Sequence, residues 1–439
     1  MKWLLYNALF AIGYALMLPK FYRRMKKRGG YRANFAERFG DFAPETAARL
    51  REKPRVWVHA VSVGEANLAG NFIDEMRSRA PDESFVISTT SSTGRAVCEK
   101  LARPGDVVIY LPIDFPRCVR KALAAINAKA LVLAESEFWP NLIRALKKRG
   151  VPIFLVNGRV SDRAAPQYRR VRWFFKDVFD CFALMLAQSE LDKQRLVEAG
   201  ADAEKIEVMG SVKFDIPPLN PERLATARAT LAAAGIDADN DFILLGGSTW
   251  PGEEMALVRA WRALKEELPR AKLVIVPRHA ERGDEIESEL AAAGVKIQRR
   301  SKMKTSADAP DTDMPLLVDA TGELSALYPF AALVFIGKSL PPNSGAQNMI
   351  EPAAHGKPVL IGPHSENFAA VMSLFRAAGA IIEVPDPATL AAEIRRLAAS
   401  HAARSELGAK AKAVVDSQRG ALARSAEKIA GRIRKHSAR

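Results

Sequence analysis

A regular alternation of short apolar strands with helical stretches constrains the fold of this chain more than any other feature. Residues 56–58, 130–133 and 153–156 are apolar along their whole length, without the polar alternate positions of a half-exposed strand. Parallel strands that are covered by helices on both faces have this composition. The alternation therefore predicts an α/β protein with open, doubly wound parallel sheets.

The alternation of strands and helices is interrupted once and then resumes. Residues 215–221 read DIPPLNP, and three prolines in so short a segment can continue neither a helix nor a strand. We therefore expect two Rossmann-like domains, residues 41–215 and 224–439, joined by a hinge at 216–223 and facing across a cleft. Ligands of such sheets bind at the carboxyl ends of the strands. A polar loop rich in proline and aspartate is predicted at 301–315.

The first 40 residues divide into an apolar and a basic part. Residues 1–18 are nearly all apolar, whereas residues 20–38 hold eight basic side chains against Glu37 alone. This order predicts a membrane-anchor helix at 1–19 and a basic juxtamembrane segment at 20–40 that meets anionic headgroups. Eighteen helical residues span roughly 27 Å, slightly less than a hydrocarbon core, so either one crossing or a tilted position in one leaflet is compatible.

A cleaved secretory signal and a buried core helix are the alternatives for this segment. A signal peptide carries its positive charge before the apolar run and ends in small residues. Here only Lys2 precedes the run, and Leu18-Pro19-Lys20 is a poor cleavage site. These features favour the anchor, and the positive-inside rule then places the chain from residue 20 onward in the cytoplasm.

The charge and the sulfur content narrow the class of protein. Nearly half of the formal net charge of +15 lies in residues 20–38, a distribution that favours a membrane surface over nucleic acid. The three cysteines form no CxxC pair, which fits a reducing cytoplasm without a disulfide framework. The six histidines are scattered. We therefore expect no metal site and no resident cofactor.

Candidate catalytic residues follow several strands of the first half. Glu65 could take a proton from a substrate hydroxyl, or it could simply be a glutamate favoured at a helix start. Glu135 and Glu137 close another strand, where they could stabilise a site or supply helix-start acidity, with Trp139 in the core. Lys213 follows the last strand and is either an anion ligand or an ordinary exposed lysine.

The second half contains candidate anion-binding residues. The segment 246–249, which reads GGST, could cradle an anion with its backbone amides. Arg278 ends a predicted strand, where it could bind a phosphate in a bidentate manner. Asn348 and Glu351 have the spacing of a helix capping box, and Glu351 could instead hold the two hydroxyls of a ribose.

Taken together, the ordered motifs resemble one family over essentially the whole chain. They are HAVSVGE at 59–65, ESEFWPN at 135–141, GSVKFD at 210–215, VPRH at 276–279, NMIEPAAH at 348–355 and GPH at 362–364. In this order they resemble the 3-deoxy-D-manno-octulosonic acid (Kdo) transferases of Gram-negative lipopolysaccharide synthesis.

The resemblance implies a GT-B glycosyltransferase at the cytoplasmic face of the bacterial inner membrane. It would transfer Kdo from CMP-Kdo to the lipid A precursor, lipid IVA, without a metal. Glu65 would be the general base, and Glu135 and Lys213 would stabilise the transition state. The residues that match the CMP-binding segments are Pro277, Arg278, Thr321, Gly322, Glu323, Asn348, Met349, Ile350 and Glu351.

One segment departs from the family pattern. Kdo transferases usually carry Gly-Gly-Ser followed by a glycine-rich loop, whereas this chain has Gly337-Lys338-Ser339 and then LPPNSGAQ. A changed loop near the nucleotide is therefore expected. Two alternative functions are a membrane-associated GT-B enzyme that uses a UDP-sugar and a non-enzymatic basic scaffold. The motif around Trp139 and the anchor argue against the first. Against the second, the basic and aromatic run at 168–176 reads as an amphipathic helix.

Overall fold

Both ends of the chain contribute to one structural unit. In the computed structural model, which describes residues 1–29, 33–303 and 313–437, unit 1 comprises Met1–Asp215 and Gly420–Arg439, and unit 2 comprises Ile216–Arg419. Each unit contains one seven-stranded sheet, and every strand pair in both sheets is parallel. The prediction of two parallel α/β domains is therefore confirmed.

The sheet of unit 1 has the strand order β3-β2-β1-β4-β5-β6-β7. Its strands are β1 (Arg55–His59), β2 (Phe85–Thr89), β3 (Val107–Tyr110), β4 (Ala128–Ala134), β5 (Ile153–Gly158), β6 (Leu184–Ala187) and β7 (Ile206–Val208). Its helices are α1 (Lys2–Arg28), α2 (Pro44–Glu52), α3 (Val63–Arg79), α4 (Ser92–Leu101), α5 (Pro116–Ala125), α6 (Pro140–Lys148), α7 (Ala165–Arg170), α8 (Arg172–Phe179), α9 (Glu190–Glu198) and, from the end of the chain, α18 (Ala421–Ser437).

The sheet of unit 2 has the strand order β10-β11-β9-β8-β12-β13-β14. Its strands are β8 (Phe242–Thr249), β9 (Ala271–Pro277), β10 (Gln298–Arg299), β11 (Leu316–Leu317), β12 (Leu333–Ile336), β13 (Val359–Ile361) and β14 (Ile382–Glu383). Its helices are α10 (Pro221–Ala233), α11 (Glu253–Glu267), α12 (Gly283–Ala292), α13 (Leu324–Leu327), α14 (Ile350–Ala354), α15 (Ala369–Ala377), α16 (Pro387–Ala399) and α17 (His401–Gln418).

Alternation along each central strand places an apolar layer on both faces of the sheet. In β1 the Trp57 side chain belongs to one buried cluster, whereas Val56 and Val58 belong to the cluster on the other face. Successive side chains of a strand point to opposite faces, so a strand covered on both sides must be apolar at every position. This is the physical reason why the strands could be predicted from their composition.

The end of the chain does not belong to the domain in which we expected it. Residues 420–439 were expected in the second domain, but α18 packs on α3 of unit 1. Leu422, Ala426 and Ile429 of α18 are buried in a core cluster of unit 1. The Asp215 carboxylate accepts the backbone N–H of Gly420 at 2.5 Å and that of Leu422 at 2.7 Å. These contacts hold the chain where it re-enters unit 1.

Three further predicted segments differ from the structure, and a fourth lies partly outside the described residues. The anchor was expected at 1–19, but α1 continues to Arg28 and takes in the first nine residues of the basic segment. The last three residues of the predicted hinge begin α10. Within the predicted loop at 301–315, residues 304–312 lie outside the described residues. Residues 246–249 form the end of β8, where the Gly247 carbonyl accepts the Gly337 N–H, so they make no separate anion-cradling turn.

Candidate active site

Polar side chains gather at the carboxyl edge of the unit 1 sheet. Glu65 follows β1, Glu135 and Glu137 follow β4, Arg159 follows β5, and Lys213 follows β7. The strands are all parallel, so their carboxyl ends lie along one edge, where open α/β sheets bind ligands. Sequence reasoning had identified four of these five residues.

Glu65 stabilises the start of α3. Its carboxylate accepts the backbone N–H of Val61 and the hydroxyl of Ser62, each at 2.9 Å, and its own N–H donates to Ser62 Oγ at 3.2 Å. Ser62 thus caps α3, and Glu65 closes this cap by accepting the N–H of Val61, in a variant of the capping box. A structural role for Glu65 at a helix start was the alternative that the sequence had left open. Each carboxylate oxygen has two lone pairs, so each oxygen retains an acceptor position for a substrate hydroxyl.

Glu135 has a backbone conformation that non-glycine residues rarely adopt. Its φ is +57°, in the left-handed region, and Asn157 Nδ2 lies 3.5 Å from its Oε1 atom. Burial raises the pKa of Glu135, and the negative charge of Glu65 raises it further, whereas Arg159 and Lys213 lower it. Unusual backbone angles of this kind concentrate at functional sites.

Glu137 is the most perturbed carboxyl group of this edge. Burial, followed by the charges of Glu65 and Glu135, raises its pKa from 4.5 to about 7. Three carboxylates are thus close enough to repel one another, and near neutral pH Glu137 holds a proton part of the time. The neighbouring Phe138 packs among aromatic rings, with the Phe179 ring 5.0 Å away, and so has a core role.

Lys213 and Arg159 bring positive charge to the same edge. Lys213 is exposed, and partial desolvation followed by the charge of Arg159 lowers its pKa, while Glu135 raises it. Two cations therefore lie close enough to three carboxylates for their charges to interact. Such an edge can bind an anionic sugar and still accept a proton from a hydroxyl.

Sequence reasoning missed Asn157 and Arg159. Asn157 is buried, has a φ of +55°, and bridges Glu135 to the segment after β7, since its Oδ1 accepts the Val212 N–H at 3.3 Å. The strand before them was predicted correctly. The signal that could have found them is their position, because both stand where a parallel strand reaches its carboxyl end.

A basic group lies at the carboxyl edge of the unit 2 sheet. The Arg278 N–H donates to the Thr249 carbonyl at 3.1 Å, so β8 and β9 end together. The Trp250 ring lies 5.6 Å from the His279 ring and 5.0 Å from Lys338 Nζ. Among the residues that the structure describes, the Arg278 guanidinium makes no hydrogen bond or ion pair, and it is available to an anionic ligand.

Two of the predicted nucleotide segments are linked through Arg223. Its guanidinium donates to the Gly322 carbonyl and, at 3.2 Å, to Ser325 Oγ. Burial raises the pKa of Glu351, and the charge of Arg223 offsets part of this rise. Asn348 Nδ2 donates to Glu351 at 2.9 Å. Within the described chain, no hydrogen bond or ion pair connects Arg278 to these segments.

The short helix α14 limits how its residues can meet a ligand. Asn348 lies two residues before α14 begins, and its Oδ1 accepts the Ile350 N–H at 3.0 Å. Glu351 accepts the Asn348 side-chain amide and not a backbone N–H, so the two residues do not form a capping box. The side chains of Met349 and Ile350 are fully buried in unit 2. These two residues can contact a ligand only through their backbone.

The loop that departs from the family pattern is organised around a buried carboxylate. Glu253 accepts the backbone N–H groups of Lys338 at 2.8 Å, Ser339 at 2.9 Å, Leu340 at 3.1 Å and Trp250 at 2.9 Å. Lys338 has a φ of +60°. These amides form an anion-binding concavity, which the protein's own glutamate occupies.

Comparisons with known proteins identify the family. The family model for 3-Deoxy-D-manno-octulosonic-acid transferase (kdotransferase) matches residues 33–216. A 3-deoxy-D-manno-octulosonic acid transferase of Bordetella pertussis is 35% identical over 410 residues, which cover 89% of this chain and 92% of that protein. This chain belongs to the Kdo transferase family. It is therefore a glycosyltransferase.

This Kdo transferase family member is also similar to a bifunctional protein and to a solved glycosyltransferase structure. It is 30% identical over 365 residues to a bifunctional glycosyltransferase/methyltransferase of Fusobacterium nucleatum, of which it spans only 54%. A solved glycosyltransferase of Rickettsia africae matches 87% of the chain and 99% of its own length, with a TM-score of 0.56 and 14% identity. The GT-B architecture implied by the sequence motifs is thus confirmed.

The structure of this Kdo transferase family member describes residues 1–29, 33–303 and 313–437. Among them, no group of three or more histidine, cysteine, aspartate or glutamate residues is arranged to hold a metal ion.

Proposed function

We propose that this enzyme transfers Kdo from CMP-Kdo to a hydroxyl group of lipid IVA at the cytoplasmic face of the bacterial inner membrane. The observation that carries the proposal is the charged edge of unit 1, where Glu65, Glu135 and Glu137 lie close to Arg159 and Lys213. Membership of the Kdo transferase family supports the class of the transferred sugar.

Glu65 is the proposed general base. An alcohol has a very high pKa, so a carboxylate helps mainly as the new bond forms and the hydroxyl becomes acidic. The hydrogen bonds from Val61 and Ser62 hold the Glu65 carboxylate in one orientation. A base that is already oriented needs less reorganisation in the transition state.

Glu135 and Lys213 are proposed to stabilise the transition state. As the bond to CMP breaks, positive charge develops on the sugar, and the Glu135 carboxylate can stabilise this charge. Kdo also carries its own carboxylate, which Lys213 can neutralise. Asn157, whose amide lies 3.5 Å from Glu135 Oε1, is proposed to position that carboxylate.

The nucleotide is proposed to bind to unit 2. Arg278 would contact the phosphate, Glu351 would accept the ribose hydroxyls, and Asn348, Thr321, Gly322 and Glu323 would complete the pocket. Pro277, Met349 and Ile350 would contribute backbone or packing contacts. CMP leaves as an anion, and the cations and amides of the chain can stabilise it without a resident cofactor.

The amino-terminal helix supports a membrane location. Residues Lys2–Arg23 are long and apolar enough to span a bilayer, and the basic residues Lys20, Arg23 and Lys26 at its end are exposed. This arrangement favours a membrane with anionic lipids. We therefore propose that α1 attaches the enzyme to the surface that holds its lipid acceptor.

A product assay tests the proposed reaction. Purified enzyme is incubated with lipid IVA and CMP-Kdo, and parallel samples receive UDP-N-acetylglucosamine in place of CMP-Kdo. Mass spectrometry should show lipid IVA heavier by one or more Kdo residues only with CMP-Kdo. Transfer from the UDP-sugar, with none from CMP-Kdo, would contradict the proposal and support the alternative GT-B function.

A further inference from the structure

The first half of the amino-terminal helix packs on unit 1. Trp3 and Tyr6 of α1 each have their ring centroid 5.2 Å from that of Phe174 in α8. One turn further along, the Phe10 ring lies 5.2 Å from the Phe115 ring. These spacings of three and four residues define one packed face of the helix.

Polar contacts fix the same face of α1. The Tyr6 hydroxyl donates to the Asp114 carboxylate at 2.8 Å, and Asn141 Nδ2 donates to Asn7 Oδ1 at 2.8 Å. Asp114 is fully buried and also accepts the backbone N–H groups of Asn141 and Leu142, each at 2.9 Å. A helix that left unit 1 to cross a bilayer would lose these partners, and unpaired polar groups are costly in hydrocarbon.

The opposite face of α1 is apolar and exposed. Leu5, Leu9, Ile12 and Leu16 recur at helical spacing and are 49, 60, 59 and 76% exposed. Their positions fall on the side of the helix that faces away from unit 1. A helix with one face on protein and an exposed apolar stripe on the other side is suited to lie in the plane of a membrane interface.

A basic groove opens beside the first two turns of α1. It has a volume of about 580 Å³ and lies between α1, α5 and α6, with Trp3 and Leu4 on one side. Four cations line it: Arg120, Arg144, Lys148 and Arg149. No acidic residue of the described chain lines the groove.

Two of the four cations are held by the protein and two are left for a ligand. Arg144 lies over the Trp3 ring, 4.5 Å from its centroid, and Arg149 donates to the Leu123 carbonyl. Arg120 and Lys148 are exposed and form no ion pair or hydrogen bond within the described residues. Leu4, at 74% exposure, adds an apolar rim next to this positive charge.

We propose that α1 lies in the plane of one leaflet and that this groove binds the phosphate of an anionic phospholipid headgroup. This inference rests on the proposed membrane attachment, to which it adds the orientation of α1 in the membrane and the class of lipid that is bound. Apolar Leu4 and the stripe from Leu5 to Leu16 meet acyl chains, while Arg120 and Lys148 meet the phosphate. Basic pockets beside membrane helices recognise such headgroups through charge-assisted hydrogen bonds.

The depth of α1 distinguishes an in-plane helix from a spanning one. Spin labels are attached to Leu5→Cys and Leu16→Cys in the full chain, with Cys118 and Cys181 replaced by serine, and their depth in vesicles is measured by relaxation. We expect both labels at the same depth, just below the headgroups. A spanning helix would separate them by roughly 16 Å along the membrane normal, which would overturn the proposal.

Vesicle binding tests the groove itself. The double variant Arg120→Gln/Lys148→Gln is compared with Arg51→Gln/Lys100→Gln, which removes the same charge from exposed positions of unit 1 outside the groove. Flotation with phosphatidylcholine vesicles that contain phosphatidylglycerol should show binding that is about 10-fold or more weaker for the groove variant, given the usual contribution of each basic residue near a membrane. The control variant should bind like the wild type.

Each other outcome contradicts a defined part of the account. If the two variants bind vesicles equally well and the wild type binds normally, headgroup binding in the groove is contradicted, while the proposed membrane attachment stands. A wild type that binds no vesicle would contradict the proposed attachment as well. A wild type that binds no vesicle and forms dimers in detergent-free buffer would assign the stripe to a second copy of the chain.

Discussion

At the scale of single residues, the charged edge of unit 1 combines structural and chemical roles. Glu65 caps α3 and also faces the charges of Glu135 and Glu137. A helix cap accounts for the position of Glu65 but not for two further carboxylates at the next strand. Burial, followed by the charges of neighbouring carboxylates, raises the pKa of both Glu135 and Glu137, and a purely structural edge does not need such a pair.

Glu137 should make unit 1 less stable at alkaline pH. Its pKa is raised from 4.5 to about 7, so the folded protein binds this proton more tightly than the unfolded chain does. Stability is therefore lost as the pH rises from 4.5 to 7. The loss is complete above pH 7 and amounts to at most about 3 kcal/mol.

Replacement of Glu137 by glutamine tests this pH-dependent loss of folding stability. Urea unfolding should show little difference from the wild type at pH 4.5 and a more stable variant at pH 8, because the neutral amide cannot ionise. The matched variant Glu45→Gln, at an exposed helix start, should not gain stability at pH 8. A Glu137 variant without a pH-dependent gain would show that this carboxyl titrates normally.

Single residues also mark the limit of sequence reasoning. The apolar part of β5 before Asn157 could be predicted from its composition, but the contact of Asn157 with Glu135 depends on the pairing of β4 with β5. The capping role of Glu65 was recognisable from Ser62 three residues earlier. Local hydrogen bonds can be predicted from spacing, whereas contacts between strands require the sheet order.

At the scale of elements, the Tyr6 hydroxyl is one of the groups that dock α1 on unit 1. Tyr6→Phe removes the hydrogen bond to buried Asp114 and should weaken the docking of α1 by about 1–3 kcal/mol. Hydrogen exchange in α1 should become correspondingly faster. Tyr14→Phe is the control, because the Tyr14 hydroxyl makes no hydrogen bond within the described residues.

Unchanged exchange in the Tyr6 variant would show that the other contacts of α1 hold it without the Tyr6 hydroxyl. The sequence predicted that this segment is apolar and helical, but it could not show which face would be packed. Both faces contain large apolar side chains, such as Leu5 and Leu9 on the stripe and Trp3 and Phe10 on the packed face. Tertiary contacts, such as those with Asp114 and Phe174, distinguish the two faces.

At the scale of the whole molecule, the chain returns to unit 1 at Gly420, so that its first and last segments belong to the same unit. The amphipathic pattern of α18 indicates a buried face, but the surface that receives it is set by α3, more than 300 residues earlier. The assignment of α18 to the second domain, made from the sequence alone, was therefore wrong. The strands of both sheets could be predicted because each strand is itself a short run of apolar residues.

Unit 1 should depend on α18 for its stability. Ile429→Asp places a charge in the buried contact between α18 and α3, which should cost more than about 3 kcal/mol. The urea transition of unit 1 should shift to lower concentration, and that of unit 2 should not move. The exposed change Arg432→Asp is the control, and equal behaviour of both variants would contradict the packing of α18 on unit 1.

The single-turnover rate of Kdo transfer by the Glu65→Gln enzyme shows directly whether Glu65 is the general base. Glutamine keeps the shape and much of the helix cap but cannot take a proton, so the rate should fall by about 100- to 10,000-fold. The melting temperature should stay near that of the wild type, and Glu45→Gln should transfer Kdo at the normal rate. A Glu65→Gln enzyme with the wild-type rate would contradict the assignment of the base and the proposed role of this edge.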